Sequence, residues 1–149
     1  MKSILLLSGP NLQLLGQRQP EIYGTETLAD HVANAASAAD EHSLALDHLQ
    51  SNHEGVLVDA IAEARGVHDA IVINAGAFTH YAWAIHDALA AFAGPVVELH
   101  LSNPGGREPW RHTSVVTPVA SGIIAGFGGA GYRMAIDAVA VLLDATPPA

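Results

Sequence analysis

The sequence predicts an α/β fold in which a five-stranded parallel sheet is covered by helices on both faces. Short aliphatic runs alternate along the chain with longer segments whose apolar residues recur at helical spacing. The strand-like runs are apolar almost without interruption, which is typical of strands buried on both faces of a parallel sheet. The 149 residues fit one domain, residues 1–149, and neither a linker nor a repeat divides them.

The first half of the chain contains two predicted strands and two predicted helices. The strands span residues 3–7 and 44–49. The first helix begins at Thr27, because Thr27 and Asp30 are a typical cap and first-turn acid. The second helix ends near Gly66, a residue suited to a C-terminal cap. The apolar stripes consist of Leu28, Val32, Ala35, Ala36 and Ala39 in the first helix, and Leu57, Val58, Ile61 and Ala64 in the second.

The second half continues the alternation with three strands and two helices. The strands are predicted at residues 70–73, 96–99 and Gly122–Ala125. One helix is predicted at residues 79–92, capped by Thr79, and the last at residues 132–143. Five such strand-helix units in one chain of this size predict a flavodoxin-like, doubly wound sheet with the strand order 2-1-3-4-5.

Three further segments lie outside these elements. Residues 113–119 are predicted as an extended connector, and residues 146–149 as a frayed tail. Residues 126–131 match the dinucleotide-binding pattern G-x-G-x-x-G, but that fold needs another strand and an acid about 20 residues further on. The chain continues for only 18 residues after Gly131, so we expect these glycines to permit close strand–helix packing instead.

Composition and charge exclude or disfavour several functions. With 15 acids against 6 bases the net charge is −9, which disfavours nucleic-acid binding. The chain has no cysteine, and its nine histidines are scattered, so we expect no metal site. Lys2 is the one lysine, which excludes a P-loop and disfavours Schiff-base catalysis. No apolar stretch approaches 18 residues, so we expect no membrane contact and a cytoplasmic location.

Polar residues collect at the predicted carboxyl ends of the strands, where ligands bind in this architecture. Amide, hydroxyl and imidazole side chains follow four strands, at residues 9–11, 51–53, 74–76 and 98–103. Three of the five arginines also lie in these loops, namely Arg18, Arg107 and Arg111. An acidic protein that gathers its few cations at one end of a sheet favours a local anion site. The alternative is that three unrelated arginines are solvated at the surface.

Candidate acid and base residues lie in the same loops. The long loop of residues 16–24 carries Tyr23 with Arg18, and a close cation lowers a tyrosine pKa from its ordinary value of about 10 by roughly 1–3 units. The alternative is that Tyr23 packs as an ordinary loop aromatic. Glu98 and His100 are two residues apart on a strand and face the same way, as suits a general acid, although a satisfied strand-end histidine has the same spacing.

These residues together resemble the type II 3-dehydroquinate dehydratases (type II dehydroquinases) over almost the whole chain. The matching blocks are GPNL at 9–12, Leu14-Leu15-Gly16, Arg18, Pro20, Tyr23-Gly24, QSNHEG at 50–55, NAGAFTH at 74–80, ELHLSN at 98–103 and REPWRH at 107–112. The resemblance implies conversion of 3-dehydroquinate to 3-dehydroshikimate and water, with no cofactor, no metal and no Schiff base. It also implies a homo-oligomer, a dodecamer built from trimers.

The resemblance also implies residue roles. Tyr23 resembles the base at C2, and Arg18 the lid arginine that favours tyrosinate. His100 resembles the acid for the C1 hydroxyl, with Glu98 behind it, and Asn11 helps to hold a water at the enolate oxygen. The substrate-binding set corresponds to Asn74, His80, Ser102, the backbone at Leu101, and Arg111 for the carboxylate, with Asp87 contributed by a neighbouring subunit. His80 and Asp87 are seven residues apart, and we expect them to share one helical face, although a structural capping role for His80 is the alternative.

Some positions depart from the family pattern, and some alternatives remain open. Gln13, Gln19 and Thr113 differ from many relatives, which bears on lid motion and rate. A receiver or flavin-binding module could share the fold. However, Asn74 stands where a receiver needs an aspartate, and the loop after the first strand is poor in hydroxyls. A different lyase or isomerase acting on a polyhydroxy acid is the second alternative. Aromatic biosynthesis and quinate breakdown are both compatible with the sequence.

Overall fold

The computed structural model describes residues 1–145 and contains a five-stranded parallel sheet. The strand order is β2-β1-β3-β4-β5, which confirms the predicted topology. The predicted tail at 146–149 lies outside the described residues. The strands are β1 (Ser3–Ser8), β2 (Ala45–Gln50), β3 (Ala70–Asn74), β4 (Val96–His100) and β5 (Gly122–Ala125).

The three central strands explain the aliphatic runs seen in the sequence. All residues of β3 and β4 are buried, and so are residues 4–8 of β1. The edge strands β2 and β5 are more exposed, because only one neighbouring strand and part of the helical layers cover them. Continuous apolar sequence therefore corresponds to strands covered on both faces.

Helices on the two sides of the sheet form two apolar cores. The helices are α1 (Pro20–Tyr23), α2 (Leu28–Glu41), α3 (Glu54–Ala64), α4 (Trp83–Ala90) and α5 (Ala130–Ala145). Helices α2 and α5 pack together on one face of the sheet, and α3 and α4 on the other. The α2 start is confirmed, because Thr27 and Asp30 form a reciprocal capping box, with Thr27 Oγ1 accepting from the Asp30 N–H at 3.2 Å.

The segment between β3 and β4 differs from the sequence prediction. Residues 79–92 do not form one helix: a 3-10 segment, Gly76–His80, is followed by α4, which begins at Trp83. Thr79 does not cap a helix, because its side chain is buried and its hydroxyl has no hydrogen-bond partner within residues 1–145. The prediction that His80 and Asp87 share one helical face is therefore wrong, since the chain changes direction between them.

The glycine-rich segment after β5 serves packing, as predicted. A Cβ on Gly129 would lie 2.3 Å from the His31 ring, and a Cβ on Gly131 would lie 3.0 Å from Leu99. Glycine at these positions lets the start of α5 approach both the sheet and α2. The connector at residues 113–119 is only partly extended, because it ends in the 3-10 turn Thr117–Val119.

Candidate active site

The carboxyl ends of the strands surround a cavity of about 170 Å³. It lies where the sequence predicted a ligand site, between the loops that follow β1, β3 and β4. Nine of the eleven predicted site residues line it: Asn11, Arg18, Tyr23, Asn74, His80, His100, Leu101, Ser102 and Arg111. Glu98 lies behind His100, and Asp87 lies on α4 away from this cavity. The fold thus brings together residues that are up to 100 positions apart in the sequence, from Asn11 to Arg111.

Tyr23 lies between two guanidinium groups. The Arg18 guanidinium carbon is 5.4 Å from the centre of the Tyr23 ring, and that of Arg107 is 5.2 Å away. Arg107 also donates a hydrogen bond from Nη1 to the Tyr23 hydroxyl at 2.8 Å. The predicted pairing of Arg18 with Tyr23 is present, and a second cation, Arg107, contacts the Tyr23 hydroxyl directly.

Arg107 also lines the cavity, although the sequence did not single it out as a site residue. It lies in a strand-end loop, and spacing alone gives no reason to select it above the other loop arginines. A second hydrogen bond, from Nη1 to Ser102 Oγ at 3.2 Å, holds the guanidinium within the loop after β4, and the bond to Tyr23 joins that loop to residues 16–24. The link spans 84 residues of sequence between Tyr23 and Arg107, so no local pattern reports it.

His100 and Glu98 form a buried pair at the end of β4. His100 Nε2 lies 2.6 Å from Glu98 Oε2, as the shared strand face predicted. Burial of Glu98 raises its pKa. Hydrogen bonds from His100, Thr117 and Ser114 lower the pKa by more than burial raises it, so the net pKa lies below the usual glutamate value. An ionised carboxylate at this distance fixes the orientation of the His100 ring, with Nε2 as the donor.

Two asparagines place amide groups at the floor of the cavity. Asn11 follows β1 in the left-handed backbone region, with φ of +67°, and its N–H donates to Asn52 Oδ1 at 3.0 Å. Asn74 ends β3, and its Oδ1 accepts from the Gly76 N–H at 3.2 Å. The hydrogen bond from Gly76 therefore orients the Asn74 side chain before any substrate binds.

Arg111 and His80 lie on the wall formed by the 3-10 segments. Arg111 pairs with Glu108, and its guanidinium carbon lies 4.0 Å from the centre of the Trp110 ring. His80 Nδ1 donates to the Thr113 carbonyl at 2.6 Å, which leaves Nε2 as the acceptor of a neutral ring. Burial lowers the pKa of His80, although the hydrogen bond to Thr113 opposes the effect. The wall thus offers a cation and a neutral imidazole.

Comparison with known proteins decides the family. The model of the dehydroquinase class II family matches residues 2–140. The chain belongs to this family. It is 56% identical to a 3-dehydroquinate dehydratase of Ruegeria pomeroyi over 146 residues, covering 97% of each chain. It is 55% identical over 140 residues to a catabolic 3-dehydroquinase of Aspergillus clavatus, covering 94% of this chain and 93% of the relative.

Solved structures of the same family have the same fold. The type II dehydroquinase of Butyrivibrio crossotus superposes with a TM-score of 0.90 at 44% identity, covering 93% of this chain and 97% of that one. The enzyme of Propionibacterium acnes gives a TM-score of 0.91 at 40% identity, covering 95% and 97%. The resemblance inferred from the sequence blocks is therefore confirmed, together with the flavodoxin-like fold.

Three further features concern a metal site, a membrane-spanning helix and the position of Asp87. Within residues 1–145, no group of three or more histidine, aspartate or glutamate side chains is arranged to hold a metal ion. In the same part of the chain no helix has both the length and the apolar character needed to cross a bilayer. Asp87 is exposed on α4. Within one copy of the chain it therefore makes no contribution to the cavity.

Proposed function

We propose that this chain dehydrates 3-dehydroquinate to 3-dehydroshikimate through an enolate, with Tyr23 as base and His100 as acid. One observation carries the proposal: a tyrosine held by two arginines and a histidine paired with a buried glutamate line the same cavity. This arrangement places the proposed base beside two cations and the proposed acid beside a buried carboxylate. Family membership supplies the substrate, since the relatives are named as dehydroquinases.

Proton abstraction is the first step. The Tyr23 phenolate takes a proton from C2 of the substrate, and the electron pair moves to the C3 carbonyl oxygen as an enolate. Arg18 and Arg107 favour the phenolate that begins this step. Asn11 stands at the strand end where a bound water can donate a hydrogen bond to the enolate oxygen, which lowers the energy of the developing charge.

Loss of the hydroxyl completes the elimination. The enolate electrons re-form the carbonyl, the C1–C2 double bond forms, and the C1–O bond breaks. His100 gives its proton to the departing hydroxyl, so that water leaves rather than hydroxide. Glu98 Oε2, 2.6 Å from His100 Nε2, holds the imidazole in position for this step. The proton taken by Tyr23 and the proton given by His100 balance over one turnover.

The remaining wall residues bind the substrate. Arg111 is suited to the substrate carboxylate, because a guanidinium matches a carboxylate with two parallel hydrogen bonds. The hydroxyl groups of the substrate are suited to the side chains of Asn74, His80 and Ser102 and to the backbone at Leu101, all of which line the cavity. No step in this scheme uses a metal, a cofactor or a lysine.

We further propose a cytoplasmic enzyme that assembles as a dodecamer built from trimers, with Asp87 acting at the site of a neighbouring copy. Asp87 is exposed on α4 and does not line the cavity of its own copy, which supports a role between copies. The test is to measure mass and kinetics together for the wild type and for Asp87→Ala. A fully active monomer would contradict the proposal, as would an Asp87→Ala variant with unchanged assembly and kinetics.

The activity is tested by following the ultraviolet absorbance of the enone formed from 3-dehydroquinate. We expect the wild type to be active and Tyr23→Phe and His100→Gln to lose about 10²–10⁴-fold in kcat. Tyr81→Phe and His42→Gln are matched controls, because Tyr81 and His42 are exposed and do not line the cavity. The assignment of base and acid is wrong if Tyr23→Phe or His100→Gln keeps half of the wild-type rate.

A further inference from the structure

The Glu98 carboxylate has two partners besides His100. Ser114 Oγ donates to Oε2 at 2.9 Å, and Thr117 Oγ1 donates to Oε1 at 2.6 Å. Both hydroxyls act as donors, because an ionised carboxylate only accepts. Each oxygen of Glu98 therefore has a hydroxyl donor, and Glu98 itself is only 2% exposed. Water has little access to this carboxylate, so these donors take the place of its hydration.

The Ser114 hydroxyl is held in one direction by its own backbone. Its oxygen accepts hydrogen bonds from the N–H groups of Val116 at 3.1 Å and Thr117 at 3.0 Å. With its acceptor sites occupied, the hydroxyl proton is left to point at Glu98. The segment is anchored because Val115 and Val116 are buried and the Val115 N–H donates to the Thr79 carbonyl at 2.8 Å. A rigid segment thus aims its hydroxyls at the strand.

Few other titratable groups face Glu98. His100 lies on the same strand, and His80, Arg111 and His112 line the cavity of about 180 Å³ that Glu98, Ser114 and Thr117 also border. The adjacent strands present Ile73 and Ile123 in register with Glu98. The nearest anion-stabilising contacts are therefore His100 and the two hydroxyls. A buried carboxylate that loses such donors takes up a proton more readily.

We propose that Ser114 and Thr117 are positioning residues that keep the Glu98 carboxylate ionised and directed at His100 during turnover. The inference rests on the proposed function, because it affects catalysis only if His100 is the acid. A protonated Glu98 cannot stabilise the imidazolium. As the pH is lowered, an enzyme without these hydroxyls therefore loses activity at a higher pH than the wild type does. Neither residue belongs to the set that contacts the substrate in the proposed mechanism.

Thr117→Val is the sharpest variant, because it removes the hydroxyl while it keeps the shape of the side chain. We expect the acid limb of the kcat profile to move up by about one pH unit, the scale of one hydrogen bond to a carboxylate. At pH values below this limb, kcat of the variant is up to about tenfold lower than that of the wild type. Near the pH optimum kcat changes little. Thr117→Ser, which keeps the hydroxyl, restores the wild-type profile.

Thr79→Val is the matched control. Thr79 borders the same cavity and is buried, and its hydroxyl has no hydrogen-bond partner in the described part of the chain. We expect this variant to keep the wild-type pH profile. Ser114→Ala is the second test, should Thr117→Val fold poorly. This variant also leaves the N–H groups of Val116 and Thr117 without their acceptor, so its thermal stability is measured alongside its pH profile.

Carbon-13 NMR of the Glu98 carboxyl measures the same effect without turnover. The expected result is a higher pKa of Glu98 in Thr117→Val and an unchanged titration in Thr79→Val. The inference is overturned if the Glu98 titration does not move, or if it moves while the kcat profile stays that of the wild type. An active His100→Gln variant instead contradicts the proposed function, so the two failures are distinguishable.

Discussion

Replacement of Arg107 by glutamine tests how the base is prepared. Arg107 makes the one hydrogen bond to the Tyr23 hydroxyl found within residues 1–145, at 2.8 Å, and its charge lies 5.2 Å from the ring centre. Glutamine keeps a polar side chain of moderate length but removes the charge. Arg18 remains 5.4 Å from the ring, so part of the cationic stabilisation survives.

The magnitude follows from the lost contact. A hydrogen bond to a charged group contributes about 1.5–3 kcal/mol net. A loss of about 2 kcal/mol corresponds to roughly a 30-fold lower kcat at neutral pH, because each 1.36 kcal/mol is tenfold. Arg18 stays beside the ring, so the loss of rate should be partial rather than complete.

The assay is the ultraviolet measurement of enone formation over a range of pH, with Arg133→Gln as control. That variant makes the same change in net charge, but Arg133 pairs with Glu41 on the surface and does not line the cavity. Exposed pairs of this kind contribute about 0–1 kcal/mol to stability, so folding should be kept. The reasoning is refuted if Arg107→Gln stays within threefold of the wild type, or if Arg133→Gln lowers kcat equally.

Three other predictions concern binding, mechanism and stability. Arg111→Gln should raise KM at least tenfold with a smaller change in kcat, and equal losses in both would contradict a role in holding the carboxylate. Borohydride with substrate should not inactivate the enzyme, because Lys2 precedes β1 and so lies at the end of the sheet opposite the cavity; a substrate adduct on Lys2 in mass spectrometry would contradict this. Burial lowers the pKa of His31, so the folded state binds fewer protons than the unfolded chain and stability should fall as pH drops below about 6.5. His31→Phe should flatten that decline in denaturant titrations, and an unchanged slope would oppose it.

Much of the site was predictable because polar and ionisable side chains lie together at the carboxyl ends of the strands. Asn11, Asn74 and His100 follow or end successive strands, so the topology alone brings them together once the strand order is known. The pairing of Glu98 with His100 was predictable for a simpler reason. Alternate residues of a strand face the same side, and the measured 2.6 Å contact follows from that period.

Errors arose where contacts between distant segments override local preference. Thr79 has the residue type of a helix cap, yet the chain buries it in a 3-10 segment that packs beneath residues 113–116. His31 does not belong to the apolar stripe predicted for the first helix. It is buried because its ring stacks on Tyr132 of α5, with ring centres 4.9 Å apart. Neither outcome is encoded in the neighbouring residues.

The sequence by itself indicated the parallel sheet and its strand order, because hydrophobic period and strand-end chemistry are local properties. It indicated nine of the cavity-lining residues through those strand ends together with the resemblance to the family. Only the tertiary structure decided that Arg107 contacts the Tyr23 hydroxyl and that Ser114 and Thr117 hold Glu98. These contacts join loops that are 16 to 84 residues apart. Their partners are chosen by the way the loops pack over the sheet, which no short stretch of sequence specifies.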